Sequence, residues 1–271
     1  MNRRNVLTLI PLSLAGISTF AGSARAKDKT PLALQFTARM REQFDRIKST
    51  QSEELLEASY RVADTVKSGH KCYISWDMGH RTTYDIWPDR PGDTDIFVKD
   101  LPTKAEKGDL IITNAAASEE LLGRLRRFHE QGVFIIGGPR SWGGDCIGSE
   151  MIVPEIRKLK VRPFSDLWIE LYETAYGAVV NVPGSPYPMG PSSGGSGVMT
   201  YWMITADAAR LLSRSGNSFT VYGDEPTLNA NAARVNMNRP LGGLYYETAI
   251  AQQKTIESEI DRIGRIAEMA V

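Results

Sequence analysis

Gly108-Asp109-Leu110-Ile111-Ile112-Thr113, a helical stretch from Ser118 to Gln131, and then Gly132-Val133-Phe134-Ile135-Ile136: this run decides the class of fold. In the middle piece Leu121, Leu122, Leu125 and Phe128 recur at helical spacing. The outer pieces are short and apolar at nearly every position. A strand of that kind has no face for water and must be covered on both sides, which is the mark of a parallel sheet in an α/β domain.

The same alternation continues outward. Upstream, Leu34 to Lys67 reads as two helices, one carrying Phe36, Met40, Phe44 and Ile47 and the other Leu55, Leu56, Tyr60, Val62, Ala63 and Val66. Ser52 with Glu53 and Glu54 is a start signal for the second helix and Ser68-Gly69 a stop. A strand at Cys72-Tyr73-Ile74-Ser75-Trp76 follows, and a short one at Asp95 to Val98. Downstream, Asp166 to Leu171 reads as one more strand, with Ala178-Val179-Val180 pairing at a sheet edge. A Gly-rich loop, Gly190 to Gly197, leads into a helix from Val198 to Leu212. Ser213 to Gly243 reads as loop, and Tyr245 to Met269 as an amphipathic helix with Ile256, Ile260, Ile263 and Ala267 as its seam. The expectation is a doubly wound α/β domain with a parallel sheet of about five strands, an N-terminal helical pair and a C-terminal helix.

The N-terminus carries an address. Arg3-Arg4 stands before the apolar stretch Val6 to Phe20, and Ala24-Arg25-Ala26 is a small-x-small cleavage site. Residues 1–26 therefore read as a twin-arginine signal peptide cleaved after Ala26, and 27–271 as one domain with its core at about 36–216 and a C-terminal loop and helix at 217–271. A membrane anchor needs roughly 20 largely apolar residues, and this stretch is shorter and broken by Pro11. The expected partner is the twin-arginine export machinery, the expected location periplasmic or secreted, with no membrane contact after cleavage. The 32 basic residues less Arg3, Arg4 and Arg25 leave 29 against 32 acidic ones, a net charge of −3. Nucleic acid and anionic membranes reward concentrated positive charge, so neither is expected as a partner. Cys72 and Cys146 would face an oxidising compartment, and a disulfide between them stays open. His70, His80 and His129 are scattered and no C-x-x-C occurs, so neither a metal site nor a cofactor is expected.

In such sheets ligands bind beyond the carboxyl ends of the strands. Four loops qualify: Trp76 to Thr83, Asn114 to Ser118, Gly137 to Trp142, and Gly190 to Gly197. In the last, glycines allow several N–H groups to point one way at a helix start, and Ser192, Ser193 and Ser196 add hydroxyls. The alternative is that a serine caps the helix and the glycines serve close packing. His80 is a candidate acid or base, Arg140 an anion contact, and Asp77, Asp166 and Glu173 candidate carboxylates.

In order and spacing the chain resembles the SIS (sugar isomerase) domain, in its bacterial phosphosugar-binding branch. The carriers are Arg46 to Glu54 running on to Val66-Lys67-Ser68-Gly69, Gly79-His80, Lys107 to Ile112, Phe164 to Ile169, and Gly190-Pro191-Ser192-Ser193. The resemblance covers about Phe36 to Gly216 and implies a flavodoxin-like domain, paired as a homodimer, that holds a phosphorylated sugar with Ser/Thr-rich loops. The family's serine loop is here Thr113-Asn114-Ala115-Ala116-Ala117, and its first loop has Asp77 for a glycine and Arg81 for a serine. A phosphate would lose donors and meet a negative charge. The expected ligand is therefore a carbohydrate derivative held by His80, Arg81, Thr82, Thr113, Asn114, Gly190, Ser192 and Ser193. Two other roles stay open: a sugar isomerase or lyase using His80 or a carboxylate, and a non-catalytic interaction protein with a degenerate pocket.

Overall fold

A computed structural model describes residues 31–76, 92–99, 101–114, 118–217, 219, 221 and 241–269. Within it a five-stranded, wholly parallel sheet runs in the order β2-β1-β3-β4-β5, the flavodoxin-like order. The strands are β1 (Cys72–Ser75), β2 (Phe97–Lys99), β3 (Leu110–Thr113), β4 (Phe134–Gly137) and β5 (Leu167–Trp168). Helices α1 (Leu32–Thr50) and α2 (Ser52–Lys67) precede the sheet. Helix α3 (Glu119–Glu130) joins β3 to β4, and a single turn, α4 (Pro154–Arg157), lies before β5. Helices α5 (Ser193–Arg214) and α6 (Leu241–Met269) follow it.

The pleat divides the apolar residues between two faces. Cys72, Ile74, Leu110, Ile112 and Ile136 pack with residues of α1, α2, α5 and α6. Their neighbours Tyr73, Ile111 and Ile135 turn the other way onto Leu122, Leu125 and Phe128 of α3. Helix α3 starts where the Ser118 side chain accepts a hydrogen bond from the Leu121 amide at 3.2 Å.

Four expectations shift. Strand β5 keeps only Leu167–Trp168, because side chains of the helical pair take over the backbone beyond it. Gln51 Oε1 accepts from the Glu170 amide at 2.7 Å, and Gln43 Nε2 donates to the Leu171 carbonyl at 2.6 Å. Ala178–Val180 (β6) joins no edge of the main sheet; it pairs antiparallel with Met189–Pro191 (β7) in a separate ribbon. Helix α5 begins at Ser193, so Gly194, Gly195 and Gly197 are helical and do not form a loop. Packing overrides glycine's poor helix propensity there, since a side chain on Gly195 would strike Met40 of α1. Among the described side chains of α6, Tyr246 and Gln253 are buried and Ile250 packs against the core, while Ile256 is 54 % exposed. The side chains of Ile263 and Ala267 lie outside the description. Cys72 and Cys146 are both free, buried thiols.

Ile111 is fully buried at the centre of the sheet, so Ile111→Ala should cost about 3 kcal/mol in urea unfolding. Ser118→Ala, which removes only a helix cap, should cost about 1 kcal/mol by the same measurement.

Candidate functional site

Strand order reverses between β1 and β3, so the crevice expected to receive a ligand lies at the carboxyl ends of these two strands. Thr113 closes β3 there and donates its hydroxyl to the Ser75 carbonyl of β1 at 2.9 Å. Both Thr113 and Asn114 are buried. Trp76, also buried, leans on the end of β4: a side chain on Gly138 would come within 2.9 Å of its ring. His80, Arg81 and Thr82, with Asp77, fall outside the described residues.

A second group of expected residues gathers on the β4–β5 side. The Ser192 amide donates to the Gly177 carbonyl and the Tyr176 amide to the Ser141 carbonyl, each at 2.8 Å. These bonds join the segments after β4 and after β5 to the start of α5. Ser192, Ser193 and Ser196 are all buried. Gly190 has φ +80°, and Phe36 of α1 sits 2.8 Å from where its side chain would be. Its missing side chain thus serves a turn and a close contact with an aromatic ring, the packing role weighed for it at the outset.

Glu173 is the chemically unusual member. It is 0 % exposed, five residues beyond β5. The Ser196 hydroxyl, in the first turns of α5, donates to its Oε1, and Gln43 Nε2 lies 3.4 Å from the same oxygen. Oε2 is buried without a partner. Burial disfavours the charged form and pushes the carboxyl up to about 7, assisted by the nearby charge of Glu170 and opposed by the two hydrogen bonds. The flanking backbone is strained: Tyr172 has φ +56° and Tyr176 φ +64°, the left-handed region that suits glycine. Sequence reading named Glu173 among several carboxylates; what set it apart, a wholly buried position, has no signature in the local residues.

Another candidate carboxylate, Asp166, is occupied by structural hydrogen bonds. Asp166 lies before β5, at the amino end of the sheet, where Oδ2 accepts from the Ile135 amide at 2.8 Å and Oδ1 is 3.2 Å from His129. His70 stands at the same end, 3.7 Å from Asp109. No group of metal-binding side chains occurs among the described residues.

An apolar groove of about 630 Å³ opens between α1, the β6–β7 ribbon and α6, lined by Phe36, Met40, Phe44, Met189, Gly190 and Ile256 among others. None of its lining residues carries a charge. A phosphate would find no cation there. No described helix is long and apolar enough to cross a membrane. Against known proteins, no family profile matches the chain and no curated protein matches it.

The Glu173 carboxyl generates a pH test. Its proton is bound more tightly in the folded than in the unfolded chain, whose reference is 4.5. Stability should therefore fall as pH rises from about 4.5 to about 7 and then level off. Glu173→Gln mimics the protonated acid. It should leave the melting temperature unchanged near pH 4 and raise it by several degrees at pH 8, a gain of about 3 kcal/mol for the full shift.

Proposed function

We propose that this chain is an exported SIS-like domain that binds a carbohydrate derivative at the carboxyl end of its sheet, acting as a homodimer outside the cytoplasm. The observation that carries the reading is the Gly190-Pro191-Ser192-Ser193 turn at the start of α5. The Ser192 amide holds it to Gly177 in the segment after β5, and that segment is tied in turn to the one after β4 through Tyr176 and Ser141, in a sheet whose order is flavodoxin-like. That is the place and the element in which the resemblance puts the ligand. The altered first loop and serine loop favour a sugar that is unphosphorylated or differently charged, as does a destination outside the cytoplasm.

A second reading has an observation of its own. A buried carboxyl poised near neutrality, beside serine hydroxyls and strained backbone, suits an acid or base that moves a proton next to a carbonyl. On this reading the protein is a sugar isomerase or lyase with Glu173 in that role, reached when the segment covering it opens.

Thermal-shift screening of the purified protein against sugars, sugar phosphates and amino-sugar acids tests the first reading. A true ligand at 100 times its Kd should raise the melting temperature by about 5 °C or more. No shift with any of them would sink it. For the second, incubation in deuterated water with any sugar that binds should place deuterium beside the carbonyl, and Glu173→Gln should abolish the exchange.

A further inference from the structure

Trp142 is 45 % exposed, on the loop that leaves β4. Indole is among the largest apolar surfaces a protein has, and a monomer gains by covering it. Among the described residues its ring partner is Tyr176, at 4.9 Å between centroids with the planes 83° apart. Tyr176 is held in place from three directions. Its amide donates to the Ser141 carbonyl at 2.8 Å, its hydroxyl donates to the Met151 carbonyl at 2.7 Å, and its backbone is fixed at φ +64°. A tyrosine in a conformation that glycine adopts freely is a side chain kept at some cost, and such strain collects where a ring must be aimed. Gly177 completes the arrangement, since a side chain there would approach Ser141 within 3.2 Å.

Two rings at right angles form a corner, not a flat patch. A flat apolar partner surface could cover only one of them. A puckered ring with an apolar C–H face and a polar edge fits such a corner, the face on one aromatic plane and the edge beside the other. The segment that receives the Tyr176 hydroxyl carries polar groups: exposed Glu150 precedes Met151 in the chain, and Arg157 Nη1 donates to the Glu150 carbonyl at 3.4 Å. The Glu150 carboxylate would repel a phosphate and can accept from sugar hydroxyls. The corner is also continuous with the proposed site, because Ser141 binds Tyr176 and Gly177 binds Ser192. We infer that Trp142 and Tyr176 form a stacking platform for an uncharged pyranose ring at the rim of the ligand site.

This inference rests on the carbohydrate reading, and one experiment separates the two. Isothermal titration of the purified protein with cellobiose, chitobiose, glucose 6-phosphate and decaproline would compare the wild type with Trp142→Ala, Trp142→Phe and Tyr176→Gly. A neutral disaccharide should bind the wild type, and Trp142→Ala should weaken it about tenfold or more with an unchanged melting temperature. Trp142→Phe, which keeps an aromatic face, should stay within about threefold. Tyr176→Gly removes the ring and relieves the backbone, so binding should fall about tenfold with no loss of the cooperative unfolding transition. Disaccharide binding that survives Trp142→Ala overturns the platform and leaves the carbohydrate reading standing. Failure of all three sugars to bind the wild type removes both. Decaproline binding in place of any sugar assigns the corner to a peptide and overturns the inference.

Discussion

The structure hangs on the requirement that β1, β3 and β4 be covered on both faces. Leu110, Ile111, Ile112, Ile135 and Ile136 are essentially inaccessible to water, and their backbone groups are paired within the parallel ladder. Each consecutive side chain points to the opposite face, so neither face can be left to solvent. On one side α3 meets the demand by joining β3 to β4. On the other the helices come from outside the sheet, with α1 and α2 before it and α5 and α6 after it. The resulting layer of long helices brings the beginning of the described chain against its end: Arg41 pairs with Glu257, Gln253 donates to the Thr37 carbonyl, and the Tyr246 hydroxyl donates to Asp45.

That layer also shapes the candidate site. The chain leaving β5 would continue as an edge strand, but Gln43 and Gln51 capture its carbonyl and amide groups and draw it onto the helical pair. The detour carries Glu173 inward, between left-handed residues at Tyr172 and Tyr176. Tyr172 is steadied by the Arg46 guanidinium, 3.7 Å above its ring, and by its hydroxyl at 2.7 Å from Thr50 Oγ1. The buried acid thus has its origin in helices that compete with the sheet for the same stretch of backbone.

What could be read in advance follows from how local the cause is. Strands β1, β3 and β4 and helices α1, α2 and α3 announce themselves, since wholly apolar runs, helical spacing and Ser118 are properties of neighbouring residues. The end of β5 does not, because Gln43 and Gln51 act on residues more than 100 positions away. The start of α5 misleads for the same reason: Gly195 looks like part of a loop until Met40 is packed against it. On the site, Ser192 and Ser193 stand out in the sequence as serines among glycines and a proline, yet their burial and the hydrogen bond from Ser196 to Glu173 depend on tertiary contacts. Trp142 lay within a loop already noticed, and only the structure shows that it faces outward against Tyr176.

The two cysteine thiols are set apart by chemistry that never happens. Cys72 lies within the core against α2, its thiol pushed by burial up to about 12, and Cys146 under its own loop with a thiol pushed up to about 11. Both remain protonated at any ordinary pH, and protonated thiols are poor nucleophiles toward peroxide or a foreign disulfide. The fold thus requires neither an oxidant to complete it nor a reductant to preserve it. A molecule built this way can take its final shape on one side of a redox boundary and keep it unchanged on the other.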